Sequence, residues 1–262
     1  MKSDAPRIVF ITGASSGIGA ACARAFAASG RVETRLVLTG RSREKLDALA
    51  TETRAAGSLS HVAILDVRDR ASVARCVAEL PEDFAAVTHL VNNAGLALGI
   101  EPAHEADIDD WETMIDTNVK GLVYCTRALL PAMVANGRGH IVNMGSAAGN
   151  HPYPGGNVYG ATKAFVHKFT QNLRADLLGK NVRVTSIEPG MVDTGFSTTR
   201  FHGDKDKADA VYRGMTPMTA DDVAELILFC VDRPAHVNVN SMEIMPLEQA
   251  FGPFAVSRRE SR

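Results

Sequence analysis

Apolar runs of strand length alternate along this chain with longer stretches of helical period, and that alternation restricts the fold more than any other property. The runs are "RIVFIT" (7–12), "TRLVLT" (34–39), "HVAILDV" (61–67), "THLVNNAG" (88–95), "GHIVNMGS" (139–146), "VRVTSIEPG" (182–190) and "NVNSMEIM" (238–245). Between most of them lie Ala- and Leu-rich stretches long enough for a crossover helix, such as 17–29, 42–56, 69–79 and 159–178. Such a rhythm implies a doubly wound α/β fold: a seven-stranded parallel sheet with helices on both faces. The runs are nearly continuous in apolar residues, as burial on both faces requires. No linker or repeat interrupts them, and 262 residues lie within reach of one hydrophobic core, so a single domain over 1–262 is expected. One stretch departs from the rhythm. "DTGFSTTRFHGDKDKADAVYRG" (193–214) is long, polar and mixed in charge, either a solvated loop or a lid over a site.

Charge and cysteine usage narrow the partners. A formal net charge of -2 gives no electrostatic reason to expect nucleic acid or a membrane. Cys22, Cys76, Cys125 and Cys230 are far apart and sit among apolar residues, as structural thiols of a reducing cytoplasm would. The start "MKSDAPRIVFITG" has no h-region and no cleavage site, so neither a signal peptide nor a span is expected, and the location reads as cytoplasmic. The eight histidines show no ligand spacing such as HExxH, and no metal is expected.

After the first strand comes "TGASSGIGAACARAFAASG". Gly13, Gly17 and Gly19 suit a sharp turn, close approach of a ligand to the backbone, and tight packing of helix on sheet. The helix that follows offers free N–H groups and a positive dipole end to a pyrophosphate. This is a Rossmann-type dinucleotide turn, involving Gly13, Ser15, Ser16, Gly17, Ile18 and Gly19. About twenty residues on, an NAD site would place an acid at the end of the second strand. Here the strand ends "LVLTGRSREK". Arg41 and Ser42 suit the 2′-phosphate of NADP instead, unless Arg41 is merely a solvated loop cation. Asp66 ends the third run, where it either accepts from an adenine amino group, with the Val67 backbone beside it, or caps the next helix. Asn92 and Asn93 in "VNNAG" must bond backbone, cofactor or both, since a sheet interior does not solvate them.

The segment "NVYGATKAF" (157–165) puts Tyr159 and Lys163 one helical turn apart on one face. A tyrosine titrates near pH 10, so it works as a base near neutrality only if something stabilises its phenolate. Burial pushes the wrong way. A lysine charge at about 4–5 Å, in an effective dielectric near 20, supplies roughly 3–4 kcal/mol. Ser146, at the end of the fifth run, shares the carboxyl edge of the sheet with the glycine turn and can hold a substrate oxygen. Hydrolase chemistry is disfavoured: Ser146 lies outside any G-x-S-x-G pattern, and His140, His151 and His167 carry no signature of a base.

Together these motifs resemble the short-chain dehydrogenase/reductase family. Its glycine turn, "NNAG", Asn, Ser and YxxxK appear in order as "TGASSGIG", "NNAG", Asn118, Ser146 and "YGATK". The resemblance implies that Tyr159 is the acid/base and that Ser146 holds the reacting oxygen. It further implies that Lys163 bonds the nicotinamide ribose and lowers the Tyr159 pKa, and that Asn118 fixes a water leading to solvent. "PGMVDT" would bring Pro189, Gly190, Val192 and Thr194 to the nicotinamide. The runs "NNAGLALGIEPAHEADIDDWETMIDTNVKGLVY", "RFHGDKDKA" and "PAHVNVNSMEIMP" look like the bacterial NADP-dependent 3-hydroxy acid dehydrogenases, a subgroup that oxidises serine and allo-threonine and reduces malonic semialdehyde. That resemblance implies a small 3-hydroxy acid or semialdehyde as substrate and a homotetramer as assembly. Many NADP-preferring relatives carry a basic residue where this chain has Ser16, which leaves Arg41 with most of the phosphate contact. "GRVETRLVL" is longer than usual and is expected to alter only a surface turn. For the substrate carboxylate the lid supplies Arg200, with Arg213 behind it. A broad-range carbonyl reductase and a non-catalytic NADP-binding protein are the alternative readings.

Overall fold

The computed structural model describes residues 6–30, 32–251, 256 and 258. The N-terminal pentapeptide on which the leader argument partly rests, and Arg31 within "GRVETRLVL", lie outside them. Nine strands and ten α-helices occur among the described residues. They run β1 (Arg7–Ile11), α1 (Gly17–Ala28), β2 (Thr34–Gly40), α2 (Arg43–Ala55), β3 (Leu59–Ile64), α3 (Arg70–Ala78) and α4 (Glu82–Ala85). Next come β4 (His89–Asn92), α5 (Ile108–Ile115), α6 (Leu122–Ala135), β5 (Gly139–Met144), α7 (Asn157–Asp176) and β6 (Val182–Pro189). The chain closes with β7 (Val192–Asp193), α8 (Phe196–Arg200), α9 (Lys205–Tyr212), β8 (Met218–Thr219), α10 (Ala220–Val231) and β9 (Ser241–Ile244).

Seven strands form one parallel sheet in the order β3-β2-β1-β4-β5-β6-β9. The order reverses between β1 and β4, and ligands of such sheets bind outside the carboxyl ends of the strands at that point. Period-two alternation sends the side chains of β1 to two separate cores. Val9 and Ile11 join Ala23, Phe26, Leu49 and Ile227 under α1, α2 and α10. Ile8 and Phe10 join Leu129, Met133 and Leu173 under α6 and α7. Phe10 is wholly buried, so Phe10→Ala would cost about 3–5 kcal/mol.

Three departures from the sequence reading matter for function. The run 88–95 is strand only as far as Asn92, because Asn93 N bonds back to Val91 O and turns the chain. The third strand ends at Ile64, two residues before Asp66. The polar stretch 193–214 is not an open loop. It contains α8 and α9, with Ser197, Arg200 and Ala208 buried.

Polar groups also collect at the amino end of the sheet. Arg7 pairs with Asp232 at 2.5 Å, both nearly buried. Arg183 donates to the carbonyls of Cys230, Val231, Arg233 and Val237 around the end of α10. His89 and His140 sit opposite each other on β4 and β5. Thr185 gives its proton to Val239 O, so His140 Nε2 is the donor in its 2.8 Å contact with Thr185. No helix of the described residues is long and apolar enough to cross a membrane. Among those residues the four cysteines are unpaired, and burial raises the thiols of Cys22 and Cys125 to about 12 and those of Cys76 and Cys230 to about 11. They are packing groups, as their neighbours in sequence suggest.

Candidate active site

A cleft of about 740 Å³ lies at the carboxyl edge of the sheet, over the reversal point. At one end is the glycine turn. Gly13 adopts φ +66°, and a Cβ on Gly19 would stand 2.5 Å from Gly13 O and 2.6 Å from Asn93 Nδ2. Only hydrogen fits there. Gly13, Ser15, Ser16, Gly17 and Ile18 line the cleft, whereas Gly19 does not; its part is to let the helix close on the turn. The first turn of α1 has no acidic side chain, and Ser16 makes no capping bond to it, so the helix N-terminus stays available to an anion. This cradle, with the cations beside it, fits a dinucleotide phosphate.

Arg41 lines the same end. Ser42 is not among the lining residues: it precedes α2 as its N-cap residue, its carbonyl accepts from Leu46 N, and its hydroxyl makes no capping bond. Lys45 takes that place, exposed and lining the cleft. Asp66 also lines the cleft, but Arg68 grips both its oxygens at 2.6–3.1 Å and, with Arg41 nearby, holds its carboxyl below the usual range. The helix cap considered for Asp66 is made by Asp69. Val67 lines the cleft as expected.

The two adjacent asparagines part company. Asn93 faces the cleft and donates to Thr12 O and Gly13 O, bracing the turn. Asn92 points away. It donates to Thr126 Oγ1 and Asn143 Oδ1 in the layer beneath α6, so it is not a cofactor contact. Asn118 is buried in a π-helical turn (Asp116–Gly121) between α5 and α6, the kind of irregularity that clusters at functional sites. Its side chain accepts from Leu96 N and donates to Leu96 O and Thr162 Oγ1. That amide is occupied in bracing the loop after β4.

Ser146, Tyr159 and Lys163 converge in the middle of the cleft. Ser146 opens a 3-10 turn (Ala147–Gly149), accepts from Ala148 N, and lies 3.3 Å from Pro189 O. Lys163 donates to Met144 O at 2.8 Å, and burial brings its ammonium down to about 8. Its Nζ is 5.9 Å from the Tyr159 ring centre. The electrostatics of Tyr159 differ from expectation. Burial raises its phenol above the ordinary value, opposed by the charge of Arg200 and by a hydrogen bond from Ser146. Arg200 therefore stands where Lys163 was expected as the nearest favourable charge. The small residue Gly160 is explained by the Ser146 turn, since a Cβ there would come 3.0 Å from Ala148 O.

Pro189, Gly190, Val192 and Thr194 form the opposite wall, which residues 195–197 and 199–201 extend together with Val211 and Tyr212. Arg200 is 9% exposed and its guanidinium lies 5.1 Å from the Tyr159 ring centre and 5.3 Å from that of Phe196. It donates to Tyr153 OH at 3.1 Å, its Nε has no partner, and no carboxylate among the described residues pairs with it. Arg213 is exposed and lies off the cleft. Tyr153, its phenol raised by burial to about 12, and Gln249, whose Oε1 accepts from Met191 N, line the cleft with no motif to announce them. No cluster able to hold a metal occurs among the described residues.

Comparison with known proteins agrees with this geometry. The family model for short chain dehydrogenases matches residues 7–205. The chain is 54% identical over 252 residues to sulfoacetaldehyde reductase 2 of Chromohalobacter salexigens, covering 96% of this chain and 98% of that one. It is 51% identical to the NADP-dependent 3-hydroxy acid dehydrogenase of Escherichia coli, covering 96% and 100%. Among solved structures, the closed form of serine dehydrogenase complexed with NADP+ superposes with a TM-score of 0.89 at 50% identity, covering 96% and 99%.

Proposed function

Because this chain belongs to the short-chain dehydrogenase family, we propose that it is an NADP-dependent oxidoreductase interconverting a short 3-hydroxy acid and its aldehyde. The observation that carries the substrate reading is Arg200: a buried guanidinium beside the reacting phenol, without an acid partner among the described residues. A buried cation of that kind is costly unless an anion arrives to pair with it. A carboxylate or sulfonate separated from the carbonyl by one carbon supplies such an anion. The relatives named for 3-hydroxy acids and for sulfoacetaldehyde are both consistent with that spacing.

Asp66 is the one carboxylate lining the cleft among the described residues, and Arg68 already holds it at the cofactor end. No other carboxylate among the described residues lines the cleft near Tyr159 to accept an α-ammonium. Arg200 serves the acid group of 3-hydroxypropionate, malonic semialdehyde, serine and allo-threonine alike. Gly13, Ser15, Ser16, Gly17, Ile18, Arg41, Lys45 and Val67 would hold NADP along one side, with Asn93, Lys163, Pro189, Gly190, Val192 and Thr194 toward its nicotinamide. NADPH, when bound, supplies the hydride for reduction of the carbonyl carbon. Arg200 orients the acid group, Ser146 donates to the carbonyl oxygen, and Tyr159 gives that oxygen its proton. The same phenol is the acid in reduction and, as phenolate, the base in oxidation. Residues 193–214 act as a lid, and a homotetramer remains the assembly expected of this subgroup.

The test is a substrate panel with NADPH: malonic semialdehyde, sulfoacetaldehyde and a neutral aldehyde of equal length, with serine and a matched 2-hydroxy acid in the oxidative direction. Turnover should be greatest for the acidic aldehydes. Arg200→Ala should raise KM for them by about 10- to 100-fold, as expected for a charged hydrogen bond, while KM for the neutral aldehyde stays put. Equal use of charged and neutral aldehydes would point to the broad-range carbonyl reductase instead.

A further inference from the structure

Glu188 takes no part in the chemistry above, yet it is a carboxylate only 2% exposed at the end of β6, immediately before Pro189. A carboxylate is buried at a penalty unless its lone pairs find donors, so its partners indicate its role. Oε1 meets His167 Nδ1 at 2.5 Å and Oε2 accepts from Asn150 Nδ2 at 2.7 Å. These partners belong to the two elements that carry the reacting groups. His167 follows Lys163 by four positions and Tyr159 by eight, on the same face of α7. Asn150 closes the 3-10 turn that Ser146 opens. One carboxylate thus ties the helix of the proton donor to the turn of the oxygen-holding serine. The same Asn150 amide also donates to Glu243 Oε2 at 2.7 Å, which anchors the turn to β9.

The packing leaves this turn little slack. A Cβ on Gly145 would stand 2.8 Å from Glu188 Cγ, and one on Gly149 would stand 2.7 Å from the carbonyl carbon of Lys163. The backbone on either side of Ser146 is pressed directly onto Glu188 and onto α7.

We propose that Glu188, through Asn150 and His167, is a positioning residue that sets the distance between Ser146 and Tyr159. It touches neither substrate nor reacting atoms. The inference rests on the roles assigned above to Ser146 and Tyr159, and Ser146→Ala tests those separately: full turnover in that variant would remove the serine's role whatever Glu188 does.

The experiment compares Glu188→Ala, Glu188→Gln and Asn150→Ala in the full chain, measuring kcat and KM for an acidic aldehyde and, by calorimetry, the Kd for NADPH. Misplacement of a catalytic group by an ångström costs up to about 100-fold. Glu188→Ala and Asn150→Ala are expected to lower kcat by about tenfold or more while KM and the NADPH Kd stay within about twofold. Glu188→Gln keeps an acceptor for Asn150 and should retain kcat within about threefold. If Glu188→Ala does not fold, Asn150→Ala carries the test alone. Wild-type kcat in Asn150→Ala, an equal loss in the Gln and Ala variants of Glu188, or a loss that follows NADPH affinity would each overturn the proposal.

Discussion

At the amino ends of the strands, Arg7 is matched by Asp232, Arg183 by four backbone carbonyls, and His140 by Thr185. At the carboxyl ends of the same strands, Arg41 and Lys45 form no salt bridge among the described residues, Arg200 has no carboxylate paired with it among them, and the helix α1 begins without a cap. The two ends draw on the same residue types. One end directs them inward, so they contribute to stability; the other holds them toward a cleft, so their interactions are completed by ligand. The contrast teaches that charge type alone does not mark a site in this fold. What marks it is a buried or clustered charge without a counter-charge in the protein.

The comparison can be broken by substitutions at either end. The largest effect is expected at the carboxyl end: Tyr159→Phe should lower kcat by about 10²- to 10⁴-fold, the usual worth of general acid catalysis, with the NADPH Kd and melting temperature unchanged. Retained turnover would take Tyr159 out of its role. At the amino end, Asp232→Ala leaves Arg7 buried and unpaired, which should cost about 3–5 kcal/mol in urea denaturation. Its kcat should equal that of the wild type at a temperature where both are folded. A drop in kcat there would mean the two ends are not separable. Arg41→Asp comes next: NADPH should lose roughly tenfold in kcat/KM relative to NADH, and unchanged selectivity would leave the phosphate to Lys45.

The smallest effect concerns pH. Burial, and then neighbouring positive charge, holds His89 and His140 well below the ordinary histidine value. Groups depressed in the folded state bind protons more readily once unfolded, so their contribution is present above the unfolded value near 6.5 and is lost as pH falls below it. From pH 7.5 to 6.5 the loss should be under about 1 kcal/mol, rising further toward pH 5. Melting curves across that range should show it, and His89→Gln/His140→Gln should flatten the slope. An unaltered slope would place the acid sensitivity elsewhere.

Much of this arrangement was legible in the sequence because its causes are local. Burial on both faces wrote β1, β2, β4, β5 and β6 as continuous apolar runs, and the i, i+4 spacing put Tyr159 and Lys163 together. What escaped depends on where a turn sends the next residue. Asn92 and Asn93 read alike, yet the reversal at Asn93 points one into the layer under α6 and the other into the cleft. Segment 193–214 read as either a solvated loop or a lid because α8 and α9 are short and polar, and only tertiary contact buries Arg200. Asp66 was legible as a carboxylate at the cleft, but not as one claimed by Arg68, since a neighbour two residues away reveals nothing about its own direction. Glu188 and Asn150, thirty-eight positions apart, meet only once the sheet exists.

The unpaired guanidinium of Arg200 also bears on how such a protein behaves in a test tube. Sulfate and phosphate present oxygens to a guanidinium much as a substrate carboxylate or sulfonate does. Assay buffers built on those ions would compete for the same pocket and inflate the apparent KM of every acidic substrate, while leaving neutral aldehydes untouched.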